Sequence, residues 1–416
     1  MKIVSCVESS IPQNRTDEVI YICQYSNPGA QDIGYFGLGF WDTIRKQGIA
    51  PSTAIWDFVT FALTVASIDK LISRKTSPDG WTRELDVEIH LCSSDKWYSQ
   101  IELLQNLLRF LTGDFWTISF CDGGSIPPSP KPIMREADCI SLLSGGMDSL
   151  IGAIDLTREG KLPLFVSQVV RGSRKAQEKY ASSLDADDRL YQWSYETKLN
   201  GYREDSTRGR SMVFYAFAAI AAASINRKRA EPIDLYIPEN GFISLNIALS
   251  PGRLGSLSTK TTHPIYMNGL QSLWNHLGIP LNLKFPYRFK TKGEMMKECL
   301  DQDLLMDLVK DSVSCAKYGR KHIHCGVCVP CLVRRAAFMK VGWEDYTKYG
   351  KNIKSDSVDN ISVTATSYLH MQSKGIRHVV GSALNFASDT DRVNYEGVFY
   401  RGLTEIYELL HYYGRV

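Results

Sequence analysis

No surplus of either charge marks this chain. Its 416 residues carry 48 Lys plus Arg against 45 Asp plus Glu, a formal charge of +3. A protein that lives on phosphate-backbone contacts shows a clearer basic excess, so nucleic acid is not expected as the direct partner. Long hydrophobic runs are missing as well. The longest nearly apolar stretch, Val213 to Ile225, has 13 residues and is too short to span a bilayer. At the start, Met-Lys-Ile-Val-Ser-Cys-Val meets Glu8 before a secretory core can build. These absences leave a cytoplasmic protein with no membrane partner as the expectation. No internal repeat is found. What is present is globular, 44% apolar and 22% charged, which excludes a largely disordered chain. At roughly 150 residues per domain, the length suggests two or three domains.

Residues 1–135 read as a compact α+β module of unknown role. Lys2 to Val7, Val19 to Tyr25, Leu85 to Leu91 and Phe115 to Phe120 have the β-branched, aromatic or alternating texture of strands. Helical spacing runs from Ser52 to Ile72, with Ser52 or Thr53 as cap, and again from Ile101 to Leu111. Gly123 to Lys131 is a Gly/Pro/Ser linker. Beyond it strands alternate with helices: Cys139 to Leu143, Leu164 to Val170, Leu190 to Tyr195 and Asp234 to Ile237 against Ser149 to Thr157, Arg174 to Leu184 and Ser211 to Ile225. That alternation predicts an α/β unit over 136–345, a parallel sheet with helices on both faces. Residues 346–416 read as a helical C-terminal extension, including Leu403 to Tyr413.

Six cysteines stand alone (Cys6, Cys23, Cys92, Cys121, Cys139 and Cys299) and read as small buried hydrophobes. The other four, Cys315, Cys325, Cys328 and Cys331, follow C-x9-C-x2-C-x2-C. Thiolates so closely spaced can close a tetrahedron around zinc, and with all four positions filled by protein the ion is structural. An iron–sulfur cluster is the alternative, because Cys325 to Cys331 has the C-x2-C-x2-C run, although the fourth ligand there usually lies downstream. His322 and His324 could displace Cys315, but read as exposed loop residues.

The sharpest local motif is Ser144-Gly145-Gly146-Met147-Asp148-Ser149, after the strand ending at Leu143 and before a helix. Two glycines let backbone N–H groups approach a ligand, and the helix start favours an anion there. It lacks the Gly-Lys-Ser/Thr ending of a Walker A loop. The motif resembles the PP-loop of the N-type ATP pyrophosphatases, whose members bind ATP and transfer AMP to a substrate oxygen, releasing pyrophosphate.

Loop and cysteines together resemble the 7-cyano-7-deazaguanine synthase (QueC) family of queuosine biosynthesis. The zinc motif of that family matches Cys325-Gly326-Val327-Cys328-Val329-Pro330-Cys331-Leu332-Val333-Arg334. Arg171-Gly172-Ser173-Arg174 stands where the family often has Gly-Gln-Arg-His, and Arg210-Ser211-Met212 where it has Arg-Asn. The resemblance covers roughly residues 138 to 340. The front module is extra, and the Asp-Tyr-Ser-Gly-Tyr-Pro-Asp stretch near the family's substrate is absent. Pro238 to Asn246 and Ser258 to Pro264 stand in its place. In architecture and length the chain is similar to the QatC group of the Qat anti-phage defence system.

The resemblance implies the chemistry. A carboxylate on a 7-carboxy-7-deazaguanine attacks the α-phosphorus of ATP, and an amine then displaces AMP, so the enzyme would be an ATP-dependent C–N ligase. It places Leu143, Ser144, Gly145, Gly146, Met147 and Ser149 on the phosphates and Asp148 on magnesium, with Asp148, Ser149 and Arg210 in the catalytic set. Arg174, Arg208 and Arg210 are candidates for neutralising phosphate charge. Glu239 and Asn240, just past a strand end, are candidates for substrate recognition, and His263 for an acid or base or merely a turn residue. The acceptor would be a partner protein, encoded in the same operon and held by the front module. The alternatives are an ordinary nitrile-forming synthase using ammonia, and a zinc-containing nucleotide sensor without turnover.

Overall fold

The computed structural model describes residues 2–169, 172–204, 208–226, 231–249, 260–315, 318, 323–354 and 359–416. Arg171, Ser258, Thr259 and His322, named above, lie outside them. The front part contains β1 (Lys2–Cys6), β2 (Val19–Gln24), β3 (Gly34–Phe36), α1 (Phe40–Lys46), α2 (Thr53–Leu71), β4 (Glu84–Leu91), α3 (Ile101–Thr112) and β5 (Phe115–Asp122). Its strands lie in the order β5-β4-β1-β2-β3 and all pair in parallel. This corrects the α+β expectation: the front module is itself α/β. The segment between β1 and β2, residues 7–18, carries only a single 3-10 turn, yet a dozen or so residues suffice for a parallel crossover.

The second part contains β6 (Cys139–Leu142), α4 (Met147–Arg158), β7 (Pro163–Gln168), α5 (Arg174–Ser183) and β8 (Leu190–Trp193). After these come β9 (Thr197–Lys198), α6 (Met212–Ala222), β10 (Ile233–Tyr236), α7 (Gly241–Leu245), α8 (Pro264–Leu277) and β11 (Leu281–Lys284). Its sheet has the order β11-β10-β6-β7-β8, again all parallel. β6 and β7 are buried along their whole length, as central strands covered on both faces must be. With β9 left out of the count, the two sheets share one strand order, first strand central and the fourth on its other side. β9 leaves the second part and pairs antiparallel with β3, extending the front sheet. The chain ends in α9 (Lys292–Glu298), α10 (Gln302–Leu308), α11 (Val329–Val341), α12 (Asp359–Lys374), α13 (Ile376–Val380) and α14 (Asp389–Tyr412).

α2 joins the two parts. Ser52 caps it by accepting from the Ile55 N–H at 3.4 Å. Sixteen of its nineteen residues are buried, so it is covered all round and not along one stripe. One face meets β3 and β4 and the other meets α6, which lies on β6 and β7. Phe58 packs edge-on against Trp274 of α8, and Phe40 stacks on Phe217 of α6. One apolar cluster therefore runs from Ile3 and Val87 of the front sheet through α2 to Ile140 and Val166 of the second.

Open parallel sheets take ligands beyond the carboxyl ends of their strands, where the strand order reverses. In the front sheet that place, between β1 and β4, is filled. The Gly124 N–H donates to Leu91 O (2.8 Å), Ser125 N–H donates to Gln24 Oε1 (3.1 Å), and Gln24 Nε2 donates to Ser5 O and His90 O. In the second sheet the corresponding place, between β6 and β10, is lined by polar side chains.

Candidate active site and metal centre

The glycine loop leaves β6 at Leu143, whose N–H donates to Val166 O and whose carbonyl accepts from Ser167 Oγ (2.6 Å). Gly145 has φ +85°, a left-handed conformation that glycine adopts without strain. The two serines hold the curl from inside. Ser149 Oγ accepts from Ser144 N–H (3.2 Å), lies 3.1 Å from Ser144 Oγ and donates to Gly146 O (3.0 Å), while Gly146 N–H donates to Ser144 Oγ (3.2 Å). Gln177 Nε2 reaches Ser144 O at 3.3 Å from α5. α4 begins at Met147, two residues before the expected start, so its positive end faces the loop.

Asp148 points the other way, into the crevice between β6 and β10, and is buried. Its Oδ2 accepts from Asn240 Nδ2 (2.7 Å) and Asn240 N–H (3.3 Å), and its Oδ1 is ion-paired with Lys292 Nζ. Burial alone would raise the Asp148 carboxyl. The Lys292 charge and the hydrogen bonds outweigh it and hold the group below the usual aspartate range. Glu239 is the opposite case: burial, then the neighbouring Asp148 charge, push its carboxyl well above the usual value. The two neighbouring carboxyls are driven in opposite directions. Both oxygens of Asp148 accept from protein donors.

Lys292 escapes the sequence reading, although a signal for it exists. Thr291-Lys292-Gly293-Glu294 is a capping box that starts α9: Thr291 Oγ1 accepts from Glu294 N–H (3.1 Å) and Glu294 Oε2 accepts from Thr291 N–H (2.8 Å). A lysine in the first turn opposes the helix dipole, so something else must hold it there. Glu405 of α14 backs this turn, accepting from Thr291 Oγ1 at 2.7 Å. Gly241 permits the other wall, because a Cβ there would stand 2.1 Å from Arg288 O.

The remaining sites divide. Arg174 opens α5 beside the loop, exposed, 3.7 Å from Glu178 and 3.3 Å from Gln192 Oε1. Arg210 is exposed near Tyr195. Arg208 is buried in the front part, donating to Thr112 O while its own N–H and that of Gly209 donate to Asp69 Oδ2. Asp69 and Asp114 there also bind Arg74 and Arg83. Burial, then the Arg74 charge, lowers Arg208 to about 10. His263 caps α8, its Nδ1 accepting from Ile265 N–H (3.2 Å) between Phe110 and Phe386. Burial, then Lys260, lowers it to about 4, so it is neutral near pH 7 and serves as a cap.

The four clustered thiols meet: every sulfur of Cys315, Cys325, Cys328 and Cys331 lies within 4.8 Å of the others. Cys325 and Cys331 are 3.9 Å apart, against about 3.8 Å for two corners of a tetrahedron with 2.3 Å zinc–sulfur bonds. Sulfurs this close fit one ion and are too crowded for a multi-iron cluster. Cys325 N–H donates to Cys315 Sγ (3.2 Å) and Cys328 N–H to Cys325 Sγ (3.4 Å). His324 is not an exposed loop residue as expected. It is buried between Tyr318 and Tyr349 and accepts from Ser314 N–H at its Nε2 (3.1 Å). Arg334, fully buried on α11, donates to Ser312 Oγ (2.6 Å) and Val309 O (3.0 Å). Val313 N–H in turn donates to Gly145 O (3.0 Å). The cysteine centre therefore braces the glycine loop.

Among the described residues no helix is long and apolar enough to cross a membrane. No protein-family model matches the chain. It is similar to 7-cyano-7-deazaguanine synthases of three archaea. That of Methanococcus vannielii is 24% identical over 249 residues, covering 50% of this chain and 97% of that protein. The Methanocaldococcus jannaschii synthase is 38% identical over 72 residues, 17% of this chain and 31% of that protein. For the Methanococcus maripaludis synthase the figures are 41% over 61 residues, 14% and 26%. The chain is a distant relative of these synthases across about half its own length.

Proposed function

We propose that the chain is a QueC-like ATP-dependent enzyme that adenylates the carboxylate of a 7-deazaguanine and passes it to an amine. The observation that carries this reading is the pairing of the glycine loop with the Asp148–Lys292–Asn240–Glu239 group across the order reversal of the second sheet. The similarity to the deazaguanine synthases supports the substrate class. In this reading the loop N–H groups and the α4 end take phosphate oxygens, and Lys292 lies where it opposes negative charge building at phosphorus. Asp148 fixes Lys292, and Glu239, its carboxyl raised by burial and by the Asp148 charge, stands beside them for substrate recognition. Asn240 has its side chain committed to Asp148 and to the α7 cap, so it shapes the crevice. A zinc ion on the four cysteines supplies rigidity to the loop and no reacting position.

The acceptor in this reading is the N-terminus of a partner protein, in keeping with the added front part, and the setting is anti-phage defence. An ordinary synthase using ammonia is the second reading, favoured by the near-complete coverage of the M. vannielii protein. The test is incubation with magnesium-ATP, with and without 7-carboxy-7-deazaguanine. AMP and pyrophosphate formed only with the deazaguanine are expected. ADP, or no turnover, would overturn the reading, and ATP retained without turnover would leave a nucleotide sensor. Ammonia and the neighbouring gene products, offered in turn as acceptors, separate the two ligase readings by product mass.

A further inference from the structure

We propose a second metal site, on the solvent side of the front sheet, formed by Glu88, His90 and Cys121. Glu88 and His90 are two apart on β4 and so share a face. Cys121 of β5 is the register partner of His90, on the neighbouring strand. One donor atom from each lies within 4.8 Å of the other two, and His90 Nε2 stands 3.1 Å from Glu88 Oε1. Two donors on a zinc ion at 2.0–2.3 Å are separated by about 3.3–3.8 Å, so closing the site needs side-chain rotation and no strand movement. All three residues are half-buried, which shelters a metal without sealing it off.

The surroundings favour a cation. Glu84 and Asp86 lie on the same face of β4, both exposed, with Lys2 of β1 as the nearby positive group. Lys2 Nζ is 3.4 Å from Glu88 Oε2 and has Asp86 as its register partner, so a metal on Glu88 leaves it a second carboxylate. The donor set of thiolate, imidazole and carboxylate selects a borderline ion, zinc first, over magnesium or calcium. Binding displaces the Cys121 proton to solvent. Three protein ligands leave the fourth position open, unlike the four-cysteine centre. The inference stands apart from the nucleotide reading.

The test uses the full chain carrying one zinc equivalent on its four-cysteine centre, titrated with cobalt(II). One further equivalent with a sulfur-to-cobalt charge-transfer band is expected, unaffected by excess magnesium. Cys121→Ser removes the band and the equivalent, and His90→Ala or Glu88→Gln lowers the uptake, with zinc on the four cysteines retained. Glu88→Gln keeps the shape of the face and so stands in for any variant that fails to fold. No uptake beyond the first zinc, or uptake that survives Cys121→Ser and Glu88→Gln alike, would overturn the site.

Discussion

Replacing Lys292 by Met leaves the Asp148 carboxylate buried without its ammonium partner. Breaking a buried pair from one side costs about 3–5 kcal/mol. Asp148 can instead take a proton, at about 1.4 kcal/mol for each pH unit above the ordinary aspartate value near 3.9. At pH 7 that route costs about 4 kcal/mol, so the two estimates meet; near pH 5 it costs about 1.5 kcal/mol. The destabilisation of Lys292→Met should therefore shrink by about 3 kcal/mol as the pH falls from 7 to 5. Urea unfolding of wild type and variant, followed by tryptophan fluorescence at both pH values, measures it. Asp148→Asn added to Lys292→Met should recover most of the loss, because neither partner is then left charged. A loss below about 1 kcal/mol at pH 7, or one that is the same at both pH values, would refute the buried-pair account.

Other outcomes follow from the same geometry. Gly145→Ala puts a side chain at φ +85°, costing about 1–2 kcal/mol of backbone strain; calorimetry should show weakened ATP binding with the metal content unchanged. Cys331→Ser should abolish zinc on the four-cysteine centre and, through the Val313–Gly145 hydrogen bond, weaken nucleotide binding as well. Unchanged ATP affinity in the metal-free variant would disconnect the two. Glu405 is raised to about 7 by burial first, with Glu294 adding to it. A raised folded value gives stability that is complete below the unfolded value near 4.3 and is lost as pH rises through about 7. Glu405→Gln should therefore gain on wild type between pH 6 and 8 in thermal melts, and a constant difference across that range would count against it. Asp69→Asn should cost about 3–5 kcal/mol, because the two buried guanidinium groups of Arg74 and Arg83 share Asp69 and Asp114.

What was legible in the sequence is what local chemistry writes. Ser52 before a run of helically spaced apolar residues marked α2 to within a residue, and Gly145-Gly146 between a buried strand and a helix marked the loop. The four cysteines were legible because seventeen consecutive positions, 315–331, hold them all. Lys292 and Asp148 stand 144 residues apart, and nothing in either segment names the other. Parallel pairing of β1 with β2 was missed because no helix separates them. His324 looked exposed because its two aromatic neighbours reach it from outside its own segment. Arg208 reads as a phosphate ligand because the groups that hold it, Thr112 O and Asp69, lie about a hundred residues or more upstream.

The shared apolar layer has a consequence for synthesis of the chain. When residue 135 leaves the ribosome, every strand of the front sheet except β9 has been made, but α2 still lacks its cover. That cover is α6, and the edge of β3 waits for Thr197–Lys198. Until about ninety further residues have been added, the nascent front part presents to water the face of α2 that α6 covers, together with an unpaired strand edge. A transcript cut between the two parts would therefore yield a protein that clings to holdase chaperones or to itself, not a free-standing partner-binding module.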